Sequence, residues 1–408
     1  MDRRMWAARR KPVVALICGT RPEAIKLAPV ATALAASGWA QPVLAATGQH
    51  GDVVHEVLDL FGLHADHAVP AAVRTESVAE LSARMLGELD ALLSHVEADL
   101  VIVQGDTAST LAGAMAGFFR RVPVAHVEAG LRTGDLDAPF PEEGNRRLVS
   151  QVTALHLAPT AGARANLLAD GIAADKIVIT GNTVIDALLA ARAAACPYDD
   201  PQLEAIDAAG RPLVVVTAHR RESWGAPIGR IGHAVRRLAA LHPDCDFVVA
   251  AHMNPAVREV LEPALRSCRN VYLPGPVAYG PFARLIGRAS LLVTDSGGIQ
   301  EEASALGLPV LVTRDTTERT ESLDHGVARL VGTDEATIVS AATRLLKDPQ
   351  AYADMARVVH PYGDGFAAER VVAACAWLLG HGLRPSDFVA PEFSASPSPV
   401  PMIRKVPA

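Results

Sequence analysis

Short, almost wholly apolar runs recur along this 408-residue chain, each followed by a longer polar or amphipathic segment, and that alternation leaves few folds open. A strand that is apolar on both faces must be buried on both, which parallel sheets covered by helices provide. The first set of runs occupies 13–18, 41–46, 100–104, 122–127, 155–158 and 177–180. A second set occupies 213–217, 246–251, 271–273, 290–294, 309–313 and 328–331. Between strands, the segment 76–97 repeats Val78, Leu81, Met85, Leu89, Leu92 and Val96 at helical spacing. Strand–helix units in two blocks predict an α/β protein of two doubly wound, Rossmann-like domains. The stretch 196–211 breaks the pattern with Pro197 and Pro201 and is the expected boundary, giving domains over 12–195 and 211–365. A last helix at about 366–380 follows Pro361-Tyr362-Gly363-Asp364-Gly365, and 384–408 reads as a flexible tail.

Composition agrees and excludes some functions. The chain is too long for one ordinary core, and half its residues are hydrophobic. A net charge of −7 argues against general nucleic-acid binding. An anionic ligand must then meet a local positive pocket. Cys18, Cys196, Cys245, Cys268 and Cys375 show no metal-type spacing and read as reduced thiols of a cytoplasmic protein. The apolar run after the basic start, Pro12 to Cys18, is too short for a signal core. Nothing approaches the ~18 uninterrupted apolar residues of a membrane span.

Three acids follow the strands of the first block. Asp106 closes Leu100-Val101-Ile102-Val103-Gln104-Gly105, Glu128 lies in His126-Val127-Glu128-Ala129-Gly130, and Glu142 lies in Pro141-Glu142-Glu143-Gly144-Asn145-Arg146. Ligands bind outside the carboxyl ends of such strands, and acids gathered there can move protons at carbon or hydroxyl. Taken singly, each is better read as a helix cap or the partner of a nearby arginine; for the three together the readings balance. In the second block Thr294-Asp295-Ser296-Gly297-Gly298-Ile299-Gln300-Glu301-Glu302 joins a strand to a helix ending near Gly307. Glycines there let backbone N–H groups approach a phosphate, with the helix N-terminus favouring negative charge. Gly19-Thr20-Arg21-Pro22-Glu23-Ala24-Ile25-Lys26, after the first strand, sets cations near a helix N-terminus, where the dipole disfavours them unless an anion is present.

GTRPEAIK, QGDTAST, HVEAGLRTGD, PEEGNR, ITGNTVIDAL, TAHRRES, TDSGGIQEE, RDTTER and PYGDG stand in the order found in bacterial UDP-N-acetylglucosamine 2-epimerases of the non-hydrolysing type. The chain resembles that family from about Val13 to about Leu379. The resemblance implies the GT-B-like fold shared with many nucleotide-sugar glycosyltransferases, two Rossmann-like domains facing a cleft, with the last helix returning to the first domain. It implies UDP on the second domain: Ser296, Gly297 and Gly298 at the diphosphate, Glu302 at the ribose, and Arg21, Lys26 and His219 as further contacts. Phe282 reads equally as a uracil neighbour or a core residue, and Arg319 and Arg314 suit charge neutralisation. His219 stands apart from His64, His67, His95, His233, His242 and His381, which read as surface or loop residues.

The family's chemistry is elimination of UDP and the C2 proton to 2-acetamidoglucal, then re-addition with inversion at C2. It needs carboxylates and cations together, and Asp106, Glu128, Glu142 and His219 match the catalytic positions. No redox cofactor and no metal are implied. The expected partners are a UDP-N-acetylhexosamine and a second copy of the chain, with no nucleic acid and no membrane. A second UDP-N-acetylglucosamine acts as activator in many relatives, at positions matching Gln49, His50, Arg74, Arg220 and His252. This chain departs from them with Gly51 and Asp52 where relatives carry Arg and then Gln or Glu. Losing an arginine contact to a diphosphate removes ~1.5–3 kcal/mol, so a weak activator site is expected. Against a glycosyltransferase stands the HVEAGLRTGD–PEEGNR pair; against a mere nucleotide-sugar binder, the three acids. A hydrolysing epimerase differs only in water access and stays open.

Overall fold

The computed structural model describes residues 10–49, 51–69, 77–218, 225–251 and 254–390. The chain divides into two compact units, one reaching to Ala190 and completed by Tyr362–Ala390, the other spanning Ala191–Pro361. In the first unit the elements run β1 (Val13–Cys18), α1 (Arg21–Ser37), β2 (Gln41–Ala46), α2 (Asp52–Leu60), β3 (His67–Ala68) and α3 (Val78–His95). They continue with β4 (Leu100–Gln104), α4 (Ala108–Phe119), β5 (Val124–Val127), α5 (Glu142–Val152), β6 (Leu155–Ala158), α6 (Ala161–Ala169), β7 (Ile177–Ile179) and α7 (Thr183–Ala193), which crosses the division after Ala190. The second unit holds α8 (Pro201–Ala209), β8 (Leu213–Thr217), α9 (Ala226–Leu241), β9 (Asp246–Val249), α10 (Pro255–Leu265), β10 (Val271–Tyr272) and α11 (Tyr279–Arg288). It ends with β11 (Leu291–Thr294), α12 (Gly297–Leu306), β12 (Val310–Val312), α13 (Thr320–Asp324), β13 (Ala328–Leu330), α14 (Glu335–Lys347) and α15 (Pro349–Met355). Helix α16 (Ala367–Leu378) belongs to the first unit and lies against α1.

Both sheets are parallel throughout. The first has order β3-β2-β1-β4-β5-β6-β7 and the second β10-β9-β8-β11-β12-β13. Each order reverses between its first and fourth strands, so each unit is a doubly wound Rossmann-like fold with one topological switch point. Those points lie between β1 and β4 and between β8 and β11. Small residues bring α4 close to the first sheet. A Cβ on Gly113 would stand 2.8 Å from Ile17 Cδ1, and one on Gly117 2.8 Å from Val124 Cγ2. That contact sets the loop between β4 and α4, which carries Asp106.

The apolar runs became strands with trimmed ends. The run expected at 122–127 begins its ladder at Val124, because Pro123 has no N–H to donate. Strand β3, two residues paired only to β2, has no apolar run to announce it. The stretch 196–211, expected as a boundary, contains helix α8: Asp200 caps it, Pro201 opens it and Gly210 closes it in a left-handed conformation. Asp200, Pro201 and Gly210 are thus helix ends, while 194–200, which includes Pro197, forms no helix or strand. No helix among the described residues is long and apolar enough to cross a membrane.

Candidate active site

The turn after β1 is built without room for a side chain: a Cβ on Gly19 would stand 2.0 Å from both Ser109 Oγ and Thr47 Oγ1. Thr20 is the N-cap residue of α1, and the Glu23 side chain reaches back to its main-chain N–H as in a capping box. The Glu23 carboxylate accepts the N–H groups of Gly19 (3.0 Å) and Thr20 (2.7 Å) and the hydroxyls of Thr107 (2.7 Å) and Thr110 (3.0 Å). Burial pushes this carboxyl above its ordinary value, against the pull of those hydrogen bonds. It ties the turn after β1 to the start of α4, across the switch point. Arg21 is exposed in the first turn, while Lys26 is buried one turn later.

Lys26 meets its anion inside the chain. Its ammonium lies 2.7 and 2.6 Å from the two oxygens of Glu128. The anion expected near this helix start is, for Lys26, a carboxylate of the protein. Glu128 stands at the end of β5 in a left-handed conformation (φ 63°), which turns its side chain out of the strand's alternation. The same carboxylate accepts the amides of Gln104, at the end of β4, and Asn182 (2.9 Å), before α7. All four groups are buried.

Asp106 is engaged differently. Arg146 on α5 approaches it through Nε at 2.9 Å and Nη2 at 2.6 Å, and Asn145 donates to its main-chain carbonyl at 2.8 Å. Glu142, expected at a strand end, is the first residue of α5 instead, because the chain runs fourteen residues past β5 before its next element begins. It is half-buried and has no side-chain hydrogen bond or ion pair among the described residues. Its neighbour Glu143 is the fully buried one. Burial alone would raise the Glu143 carboxyl, but the Thr133 N–H and the Arg146 guanidinium outweigh it and hold it below its ordinary value. His126 was not singled out in the sequence. It sits within the HVEAG string, and its Nε2 lies 2.7 Å from the Gly105 carbonyl, steadying the turn before Asp106. Burial pushes His126 down to about 4, so it is neutral.

In the second unit Thr217 and Thr294, at the ends of the two switch strands, share a 2.6 Å hydrogen bond. Ser296 is the N-cap of α12 but makes no side-chain cap, and Gly298 leaves open space where a Cβ would stand. The first amides of α12 therefore lack a side-chain cap from Ser296. Glu302, expected at a ribose, accepts the Tyr279 hydroxyl at 2.8 Å. Arg319 and Arg314, expected to face phosphate, reach acids of the chain: Arg319 meets Glu301 at 2.7 Å and Arg314 meets Glu318 at 2.8 Å. Phe282 is half-buried on α11. Gln49 accepts from Ser109 Oγ at 2.7 Å, and Gly51 caps α2 with φ 50°. His219, His50, Arg74, Arg220 and His252 lie outside the described residues. His242, expected at the surface, is buried, with Nε2 3.2 Å from Thr343 Oγ1. Among the described residues only His242, Asp244 and Cys245 come close enough to hold a metal ion. The Cys245 thiol packs in the apolar core, and burial pushes it up to about 11.

Two Rossmann-like units, one with a buried carboxylate–ammonium centre at its switch point and the other with a glycine turn opening a helix, define an α/β enzyme of the GT-B-like class. Comparison with known proteins narrows this. The sequence model of the UDP-N-acetylglucosamine 2-epimerase family matches residues 32–376. The chain is 44% identical over 374 residues to the UDP-N-acetylglucosamine 2-epimerase of Escherichia coli K12, covering 88% of this chain and 97% of that protein. The enzyme of that name from Yersinia pestis is 43% identical over 366 residues, covering 88% and 97%. Among solved structures, the Neisseria meningitidis UDP-GlcNAc 2-epimerase bound to UDP-GlcNAc superposes with a TM-score of 0.83 at 38% identity, covering 90% of this chain and all (100%) of that one. The Methanocaldococcus jannaschii enzyme in complex with UDP-GlcNAc and UDP gives 0.74 at 29%, covering 90% and 100%. The chain belongs to the UDP-N-acetylglucosamine 2-epimerase family.

Proposed function

We propose that the enzyme interconverts UDP-N-acetylglucosamine and UDP-N-acetylmannosamine by elimination and re-addition. The C2 proton of this sugar has no carbonyl beside it and is not acidic. A carboxylate takes that proton while the C1–O bond to UDP breaks, its electron pair leaving on the diphosphate, and a C1=C2 double bond forms. A proton then returns to the opposite face of C2, and the UDP oxygen attacks C1. Atoms balance and no net oxidation occurs.

The observation that carries this reading is the set of acids and cations at the carboxyl ends of β4 and β5, in a member of this family. Glu142, with no side-chain partner among the described residues, is the acid best able to exchange a proton; Asp106, set against Arg146, is the second. The amides at the start of α12, without a side-chain cap from Ser296, suit the diphosphate. Arg21, His219, Phe282 and Glu302 remain the candidate contacts to UDP. The product suits aminosugar supply for surface polysaccharides, and the five free cysteines suit a cytoplasmic setting. Proton NMR of the purified protein with UDP-N-acetylglucosamine in heavy water tests the mechanism. Both epimers should appear without added cofactor, with deuterium at C2. Retention of the original C2 hydrogen in the product rules the mechanism out, and build-up of free N-acetylmannosamine with UDP favours the hydrolysing alternative.

A further inference from the structure

Asn182 belongs to the ITGNTVIDAL string and Gln104 to QGDTAST, yet the chemistry above gives neither a task. Both are buried, and both point an amide at one carboxylate. Asn182 divides its side chain: Oδ1 accepts the Val184 N–H at 3.2 Å at the start of α7, and Nδ2 donates to Glu128 Oε1 at 2.9 Å. Those two partners fix which way the amide points. Gln104 donates to Glu128 Oε2, and its main-chain carbonyl is held by the Thr110 hydroxyl at 2.7 Å.

Among the described residues Glu128 thus receives four donor contacts, two on each oxygen: Lys26 and Asn182 on Oε1, Lys26 and Gln104 on Oε2. A carboxylate offers about four lone-pair sites. A proton arriving on either oxygen would displace a donor already seated there. The arrangement suits a carboxylate that stays charged, and it suits an acid that shuttles protons poorly.

We propose that Gln104 and Asn182 are positioning residues that hold Glu128 as a fixed carboxylate, which in turn aims the Lys26 ammonium, leaving the proton traffic to Glu142 and Asp106. The proposal rests on the epimerase reading for its turnover test and on the network alone for its second test.

Two variants separate donor from scaffold. Asn182→Asp keeps the oxygen that caps α7 and nearly the same volume, but turns the donor into an anion facing Glu128. Gln104→Met keeps the length and removes the donor. Each should lower kcat about tenfold or more at neutral pH, the size of effect expected for a lost hydrogen bond to a charged group. The Kd for UDP should change little. Asn182→Asp should regain part of its kcat as pH falls, because the introduced carboxyl donates again once it is protonated. A residue that only caps α7 gives no such recovery.

Reductive methylation read by peptide mass spectrometry follows Lys26 without any turnover. Lys26 should be labelled several-fold faster in Gln104→Met than in the wild type, with exposed Lys176 as the internal control; in Asn182→Asp the added carboxylate beside the ammonium opposes labelling, so that variant is judged by its pH profile. If the wild type shows no epimerisation, the functional reading fails while the labelling result still judges the network. Near-normal kcat in both variants, or kcat lost at every pH in Asn182→Asp with Lys26 of Gln104→Met as protected as in the wild type, would overturn the proposal.

Discussion

Removing Glu128 strands a buried cation, and the cost can be worked from its surroundings. The side chains of Lys26 and Glu128 are only 10% and 5% exposed and approach to 2.6 Å. In Glu128→Gln the new amide can offer its oxygen to Lys26, but its NH2 then faces the amide of Gln104 or Asn182, donor against donor. Breaking a buried pair by deleting one partner costs about 3–5 kcal/mol, whereas replacing both partners costs far less. Lys26→Met with Glu128→Gln should therefore recover about 2–3 kcal/mol relative to the sum of the single changes. Urea unfolding followed by circular dichroism measures this, with the transition of the first unit fitted separately from that of the second. Turnover should not recover with stability: both single variants and the double should lose roughly two or more powers of ten. The double variant should also be no slower than the worse single, since Glu128 acts through Lys26. Additive stability losses would mean that the pair is not coupled. Multiplying activity losses would mean that Glu128 has a chemical task of its own.

Glu142→Gln should lower turnover by roughly two powers of ten while leaving the melting temperature and UDP affinity near their normal values, because no side chain among the described residues depends on that carboxylate; a variant that still turns over well strikes Glu142 from the catalytic residues. His126 and His156 are held neutral by burial, down to about 4 and about 3, whereas unfolded histidine takes a proton near 6.5. Their depressed values mean that stability present above about 6.5 is lost as pH falls toward 4, by on the order of 3 kcal/mol for His126 alone. Asp186, which caps α16 through the N–H groups of Ala367 and Ala368, is pushed by burial up to about 6 and acts in the opposite sense. Its contribution is fully present below about 3.9 and is lost as pH rises through 6, so Asp186→Asn should flatten that part of a urea-midpoint-against-pH curve. On the expectation that Gly51 and Asp52 weaken an activator site, conversion of pure UDP-N-acetylmannosamine should start with little lag; a strict lag abolished by micromolar UDP-N-acetylglucosamine would refute that expectation.

Local signals are legible where burial acts on consecutive residues. Parallel strands covered on both faces must be apolar without alternation, so β1, β4, β8 and β11 announce themselves in four to six residues. Glycine and proline are ambiguous signals, because the same residues end helices and break them. Asp200, Pro201 and Gly210 are the cap, start and stop of α8, and only the intervening backbone tells this from a linker. Glu142 and Glu143 are adjacent in sequence, yet one is left without a side-chain partner among the described residues and the other is enclosed by the Thr133 loop, Arg146 and Arg147. Nothing in PEEGNR distinguishes them.

By itself the sequence determined the strand–helix alternation, the doubly wound class, the family and the short list of acids and cations, because each of these is written in neighbouring residues or in strings a few residues long. Only the tertiary structure decided how those groups are spent. Lys26 and Glu128 are 102 positions apart, Gln104 and Glu128 are 24 apart, and Asn182 and Glu128 are 54 apart. Their meeting depends on the order in which parallel strands are laid side by side, and no periodicity along the chain encodes a contact across it. A carboxylate's role follows from the donors around it, so the sequence could name Glu128 as important while only the fold revealed it as a clamp on Lys26.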